Sequence, residues 1–62
     1  MYKNGQKFKV VKNGIICEIT GVSTSGIYSM AFYENDELFF QGDVTQGTIE
    51  NNIEYGFWKM ED

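Results

Sequence analysis

The segment that decides the fold reads VTQGTIENNIEYGFWKM, from Val44 to Met60. It predicts one short helix from Gln46 to Tyr55, followed by a glycine stop and a closing strand. Thr45 is the expected N-cap, because a threonine hydroxyl can accept a hydrogen bond from a free N–H group of the first turn. Gly56 stands where the end of a helix favours a left-handed residue. This is the only helical pattern in the chain.

The apolar face of this helix is narrow. Ile49 and Ile53 lie four residues apart on one stripe, whereas Glu50 and Glu54 lie on the outer face. Such a helix is not stable alone, so it must cover a larger apolar surface. The rest of the chain predicts that this surface is a β-sheet.

The chain before the helix begins with a predicted β-hairpin. Residues 6–12 alternate with period two, as expected for a half-buried strand. Asn13-Gly14 then favours a two-residue type I′ turn, which needs positive φ at both central residues. A second strand over residues 15–20 should fold back directly onto the first. This register pairs Phe8 with Ile19 and Val10 with Cys17 on the inner face, and Lys9 with Glu18 on the outer face.

The second predicted hairpin joins a strand over residues 27–33 to a strand over residues 37–41. A two-residue loop, Asn35-Asp36, would turn Leu38 and Phe40 toward solvent. A loop that begins one residue earlier turns both inward, and Asn and Asp tolerate the left-handed backbone that it needs. We therefore predict a three-residue loop. It leaves Ala31 opposite Phe39 on the outer face, with Tyr33 beside them.

The closing strand over residues 57–60 is expected to turn Trp58 and Met60 inward, because Lys59 must face water. The order is then four meander strands, one short helix and a last strand that pairs with the first. We predict a mostly β chain with a single domain over residues 1–62, a small SH3-like five-stranded barrel with one short helix before the last strand. A flat sheet with a helix across it is the alternative.

Composition excludes several classes of protein. The 62 residues include one cysteine and no histidine, so a disulfide scaffold and a cysteine-histidine zinc site are both excluded. No apolar run is long enough to cross a bilayer and no signal-peptide pattern is present, so we expect a cytoplasmic protein without a membrane partner. The net charge is −4, yet residues 1–12 hold four lysines and no acid. The first strand is therefore basic and the rest of the chain is acidic.

The residues that could carry chemistry have simpler structural explanations. Cys17 shares the parity of a buried strand and has no neighbouring base to activate it. Glu34, Asp36 and Glu37 lack the alternate ligand spacing and bend glycine of a calcium loop, so they are interpreted as a solvated hairpin tip. The glycines form no phosphate-binding fingerprint. We expect no enzyme, and no catalytic, cofactor or metal site.

Three stretches carry a resemblance to a known group of proteins: GQKF at residues 5–8, ICEITGV at residues 16–22, and TIENNIEYGFWK at residues 48–59. The sequence resembles small SH3-like proteins of unknown function that are encoded by phages and mobile elements of low-GC Gram-positive bacteria. The resemblance covers most of the chain and is most specific at its end, whereas the hairpin over residues 28–40 is more aromatic than in the group. It implies an SH3-like fold, no catalytic residue, and a host or defence protein as the partner in the host cytoplasm.

The patterns favour a small acidic protein-binding module, and the resemblance implies an inhibitor encoded by a phage. The second hairpin leaves more aromatic surface outside than a monomer of this size needs. A homodimer partner, or the Met1-Tyr2 segment folded over the sheet, is the alternative cover for that surface. The predicted partner-binding residues are Tyr33, Phe39, Ala31, Glu37, Glu50 and Glu54.

Nucleic acid enters two further hypotheses. Small barrels bind single strands through exposed aromatic side chains and lysines, and four lysines share one end of this chain. The negative net charge, the absence of arginine and the expected neutralisation of Lys9 by Glu18 disfavour nucleic-acid binding. The opposite hypothesis is a nucleic-acid mimic, whose carboxylates imitate phosphates against a basic partner.

Overall fold

The computed structural model describes residues 2–61 of the chain. The order of elements is the predicted one, with four strands, one helix and a last strand. The elements are β1 (Lys7–Val10), β2 (Ile16–Val22), β3 (Ile27–Glu34), β4 (Glu37–Thr45), α1 (Gln46–Glu54) and β5 (Trp58–Glu61).

The strands form one antiparallel five-stranded sheet in the order β4-β3-β2-β1-β5. The last strand pairs with the first, as predicted, and β4 and β5 are the two edges, so the sheet is open. It is also curled. The ring centroids of Trp58 on β5 and Phe32 on β3 lie 6.3 Å apart. Two other strands lie between β5 and β3, and in a flat sheet this arrangement would place their backbones about 14 Å apart.

Both predicted caps of α1 are confirmed. The Thr48 N–H donates to Thr45 Oγ1 at 3.1 Å, which satisfies one of the free donors of the first turn. At the other end Gly56 has φ of 80°. The N–H groups of Gly56 and Phe57 donate to the carbonyl oxygens of Ile53 and Asn52 at 3.1 and 2.8 Å, the two bonds of a Schellman motif.

The core lies between the inner face of the sheet and α1. Tyr28 is its largest fully buried side chain, and the hydroxyl of Tyr28 donates to Gln46 Oε1 at 3.3 Å. Ile49 is fully buried and Ile53 is partly buried against the same cluster, so the narrow apolar stripe of α1 faces the sheet as predicted. The buried cluster consists of Phe8, Cys17, Ile19, Tyr28, Met30 and Ile49.

The predicted two-residue loop of the first hairpin is wrong. Val10 N–H donates to the Ile15 carbonyl at 2.8 Å, so residues 11–14 form the loop and every pair shifts by two residues. Asn13 has no positive φ and instead accepts the Ile15 N–H on its side-chain oxygen at 3.1 Å, whereas Gly14 has φ of 76°. Because side chains alternate with period two, the inner face is unchanged. The observed pairs are Lys7 with Glu18, Phe8 with Cys17, and Lys9 with Ile16.

The three-residue loop of the second hairpin is also wrong. Asn35 and Asp36 form a two-residue turn with φ of 53° and 67°, as a type I′ turn requires. The register shifts between Phe32 and Tyr33, and this bulge places Phe40 opposite Phe32 despite the short loop. Bulges insert an unpaired residue into one strand, and here that residue is Phe39, which lies between two paired neighbours on β4.

Two further predictions about the edges are corrected. β4 continues through Gly42 and Asp43 to Thr45, beyond the predicted end of this strand at residue 41. Met60 lies on the inner face opposite Phe8, but its side chain is 59% exposed because β5 is an edge strand. Trp58 is partly buried and packs against the core, as predicted.

Candidate interaction surface

The first half of β4 is exposed on both of its faces. All five residues from Glu37 to Gln41 are exposed. Leu38, Phe39 and Phe40, the apolar β4 segment, expose 49%, 55% and 56% of their surface. Because successive side chains of a strand alternate between its faces, these three side chains make the edge apolar on both sides, and exposed apolar edge strands are typical interaction sites.

Phe40 continues a row of aromatic rings on the inner face. Its ring centroid lies 5.6 Å from that of Phe32, and Phe32 contacts Trp58 in turn. Gly42 makes room for Phe40, since a Cβ at Gly42 would lie 3.0 Å from Phe40 Cε2. The aromatic row therefore ends at the open edge of the sheet, with the Phe40 ring half exposed.

The outer edge of β4 presents free backbone groups. The Gln46 N–H donates to the Gly26 carbonyl at 3.1 Å, which continues the ladder between β3 and β4. Hydrogen-bonded and non-hydrogen-bonded pairs alternate along an antiparallel ladder. The N–H and C=O groups of Gln41 and Asp43 therefore point away from β3. Within residues 2–61 no strand pairs with that edge.

Charge is divided across the sheet. The chain has no lysine or arginine between residues 13 and 58, so β4 and its hairpin tip are purely acidic. The lysines of the sheet lie on β1 and β5, at the opposite edge. The four carboxylates near the apolar β4 segment are those of Glu34, Asp36, Glu37 and Asp43.

The structure brings together only some of the predicted partner-binding residues. Tyr33, Glu37 and Phe39 lie on the second hairpin, where Tyr33 is half-buried and the other two are exposed. Ala31 is fully buried and pairs with Gln41, so the predicted pairing with Phe39 is wrong. Leu38 and Phe40 were both predicted to face the core. The bulge, which leaves no sequence signal, places Leu38 opposite Tyr33 on the outer face, whereas Phe40 lies on the inner face and is exposed because β4 is an edge strand.

The other predicted contacts, Glu50 and Glu54, form a separate acidic patch on α1. Both are exposed. Glu50 accepts a hydrogen bond from Gln46 Nε2 at 3.0 Å. They follow β4 in the chain but do not belong to the hairpin.

Tyr2 does not lie over the hairpin. Its ring makes edge contacts with Phe8 and Tyr28, with centroids 5.5 and 5.9 Å away. Burial, followed by the nearby carboxylate of Glu50, raises the pKa of the Tyr2 hydroxyl. Tyr28 is five residues from Tyr33 along β3, about 17 Å in an extended strand. Tyr2 therefore covers the opposite end of the sheet, and Met1 lies outside the described residues.

Cys17 is fully buried in the core. Burial raises the pKa of its thiol from an ordinary 9.0 to about 12, so the side chain is a protonated apolar group at neutral pH. Nucleophilic chemistry requires the thiolate. In the part of the chain that the structure describes, no three acidic or sulfur side chains are grouped so that they could hold a metal ion.

The lysines have different surroundings from those predicted. Glu18 pairs with Lys7 and not with Lys9, and Glu61 pairs with Lys7 from the other side. Lys9 lies between Ile16 and Lys59. The two like charges are directly opposite, which is unfavourable in a ladder, and they form a small basic spot far from β4.

An apolar groove, separate from the apolar β4 segment, lies beside the C-terminal end of α1. It has a volume of about 380 Å³, and Phe57 at its rim is 60% exposed. It is lined by the end of β1 and the loop that follows it, by α1, and by the segment that leads into β5. The residues are Val10, Val11, Lys12, Asn52, Gly56, Phe57 and Trp58.

Comparisons with protein-family models, with curated proteins and with solved structures find no match. Across residues 2–61, the one helix is too short to cross a bilayer. The geometry of β4 is thus the strongest guide to function.

Proposed function

We propose that this chain is a small protein-binding module that recognises its partner through the apolar β4 segment. The observation that carries the proposal is the exposure of Leu38, Phe39 and Phe40, each about half open to solvent, on an unpaired edge strand. Aromatic side chains dominate the binding energy of protein interfaces, and exposed strand edges are common sites of association. Tyr33 and Glu37 complete the surface at the hairpin tip.

The proposal includes the SH3-like class. Four meander strands, a short helix and a last strand paired with the first support that class. The curl indicated by Trp58 and Phe32 also supports it. By the resemblance to small phage proteins, the partner is a host or defence protein that the module inhibits.

The experiment is capture of the partner from a lysate of the natural host. The affinity tag belongs at the C-terminus, because Tyr2 packs against the core. Phe39→Lys should keep the melting temperature within a few degrees and remove the captured protein, since a charge would stand at the centre of the contact. Val11→Lys is the matched control, because Val11 is equally apolar, 54% exposed and outside β4.

Two outcomes would overturn the proposal. If Phe39→Lys folds and captures the same protein as the wild type, the apolar β4 segment is not the site, and the acidic face of α1 at Glu50 and Glu54 becomes the next candidate. If both Phe39→Lys and Leu38→Lys unfold the chain, these residues serve the core rather than a partner.

A nucleic-acid mimic is the second candidate, favoured by the acidic tip of the hairpin. Its partner would be a basic protein whose capture is lost as salt rises but survives Phe39→Lys. Direct nucleic-acid binding is tested by fluorescence anisotropy with single- and double-stranded DNA at low salt. We expect no saturable binding, and binding with a steep loss on adding salt would favour the basic spot of Lys9 and Lys59.

A further inference from the structure

We propose that the partner contributes an extended segment that adds to the free edge of β4 as a sixth strand, with apolar side chains toward the inner face and lysine or arginine at its ends. This inference rests on the proposed function and specifies the mode of binding. Strand addition combines main-chain hydrogen bonds, which give affinity, with side-chain contacts, which give specificity.

The backbone of β4 sets where the strand would lie. The bulge at Phe39 interrupts the ladder, so the regular part of the edge runs from Phe40 to Thr45. In this stretch Gln41 and Asp43 direct their N–H and C=O groups outward. Natural edges are commonly protected by proline, lysine or a bulge. β4 contains no proline and no lysine, and its bulge at Phe39 lies outside the regular stretch.

The side chains along the β4 edge determine which side chains the added strand would need on its inner face. Phe40, Gly42 and Val44 alternate on the inner face of β4, and Val44 already packs against the core. The residue row that crosses the sheet through Met60, Phe8, Cys17 and Phe32 reaches Phe40 and stops there. An apolar side chain on an added strand would extend this row and cover the exposed ring of Phe40.

Charge decides between a second copy and a different chain. The edge and its hairpin tip carry Glu34, Asp36, Glu37 and Asp43 without a compensating lysine. Two copies paired through β4 would bring both sets of carboxylates together, and like charges opposite each other destabilise a sheet. A segment with cationic ends is complementary to the same surface.

The test uses a fluorescent nine-residue peptide that alternates valine with lysine or threonine, blocked at both ends. One matched peptide has glutamate in place of lysine. Another has the same side chains but N-methyl groups on alternate amides, which remove the N–H donors of one edge. Affinity is measured by anisotropy on the wild-type chain, and amide hydrogen exchange is followed by NMR.

The expected result is saturable binding of the lysine peptide. Replacing lysine by glutamate, or N-methylating the backbone, should each weaken the affinity about tenfold or more, because each change removes several favourable interactions at once. Exchange of the Gln41 and Asp43 amides should slow when the peptide binds. Gln41→Pro removes an outward N–H group from the edge and should abolish binding. Asp43→Lys should reverse the preference between the lysine and glutamate peptides.

Three results would overturn the inference. Equal binding of the N-methylated peptide, or protection of amides away from β4, would exclude strand addition. If the particle size measured by light scattering increases with protein concentration, and Phe40→Lys removes this increase, then a second copy occupies the edge. No binding of the lysine peptide would exclude a basic segment. Each leaves the proposed function standing if Phe39→Lys still loses the captured partner, so the two failures are distinguishable.

Discussion

Replacing Trp58 with alanine should remove most of the stability of this fold. The indole is partly buried between β1 and β3, with ring centroids 5.8 Å from Phe8 and 6.3 Å from Phe32. Truncating a buried tryptophan costs about 3–5 kcal/mol. Partial burial places Trp58 near the lower end, roughly 3 kcal/mol, and the loss of two aromatic pairs is part of that figure.

A domain of this size has a total stability of about 3–5 kcal/mol. Trp58→Ala should therefore leave only about 0–2 kcal/mol of stability, so that a measurable fraction of the chain is unfolded in water. Urea unfolding monitored by far-ultraviolet circular dichroism measures this, since the variant has no tryptophan fluorescence. With a slope of about 1 kcal/mol per molar urea, the midpoint should fall by about 3 M.

Phe57→Ala is the matched control for Trp58. Phe57 is the preceding aromatic residue and is 60% exposed, so its truncation should cost less than about 1 kcal/mol. A cooperative transition of Trp58→Ala within 0.5 M of the wild-type midpoint, about 0.5 kcal/mol, would refute the view that Trp58 joins β5 to the core.

Four other variants test the turns and the buried thiol. Asp36→Gly should stabilise the chain by about 0.5–1 kcal/mol, because glycine adopts the positive φ of a type I′ turn without strain; a loss of stability in thermal unfolding would argue for a different loop. Gly14→Ala and Gly56→Ala should each cost about 1 kcal/mol or more in urea unfolding, and variants as stable as the parent would contradict the positive φ at both turns. Burial raises the pKa of Cys17 from 9.0 to about 12. The buried thiol therefore contributes fully to the free energy of unfolding below pH 9, and this contribution is lost as the pH rises toward 12, because the thiol of the unfolded chain ionises first. Cys17→Val should lose less stability than the wild type as the pH rises above 9. If the free energy of unfolding falls with pH equally steeply in both proteins, Cys17 does not contribute to the alkaline loss.

Local signals predicted the helix and both of its caps correctly, although the helix ends at Glu54, one residue before the predicted end at Tyr55. Thr45 and Gly56 act through hydrogen bonds within three or four residues, so the sequence contains everything that the caps require. The order of strands followed from the alternation of apolar residues. The residues of the inner face were predicted correctly despite the wrong register of the first hairpin, because a shift of two residues keeps Phe8 and Cys17 on the same side.

Loop lengths and the candidate surface were harder to predict. Both hairpin predictions assumed regular ladders, and each failed where a loop or bulge replaced ladder pairs. The longer first loop contains a hydrogen bond to the Asn13 side chain, which a ladder model does not include. At Phe39 the bulge allowed a short turn and an inward Phe40 together. The exposure of Phe39 was predicted, whereas that of Phe40 depends on the position of an edge that only the assembled sheet defines.

The division of charge across the sheet also governs how a basic partner would approach. β4 and β5 are separated by four strand spacings, at most about 19 Å. At physiological ionic strength the screening length is about 8 Å. An approaching cation near β4 would then experience the carboxylates of that edge with little influence from Lys59.

Diluting the salt about fifteenfold, to about 0.01 M, extends the screening length to about 30 Å, beyond the width of the sheet. The lysines at the far edge would then oppose the carboxylates. The association rate with a basic partner should accordingly rise less steeply below about 0.01 M salt than the acidic edge alone would produce. The molecule would behave as an oriented dipole, turning its β4 edge toward a positive surface before any side chain makes contact.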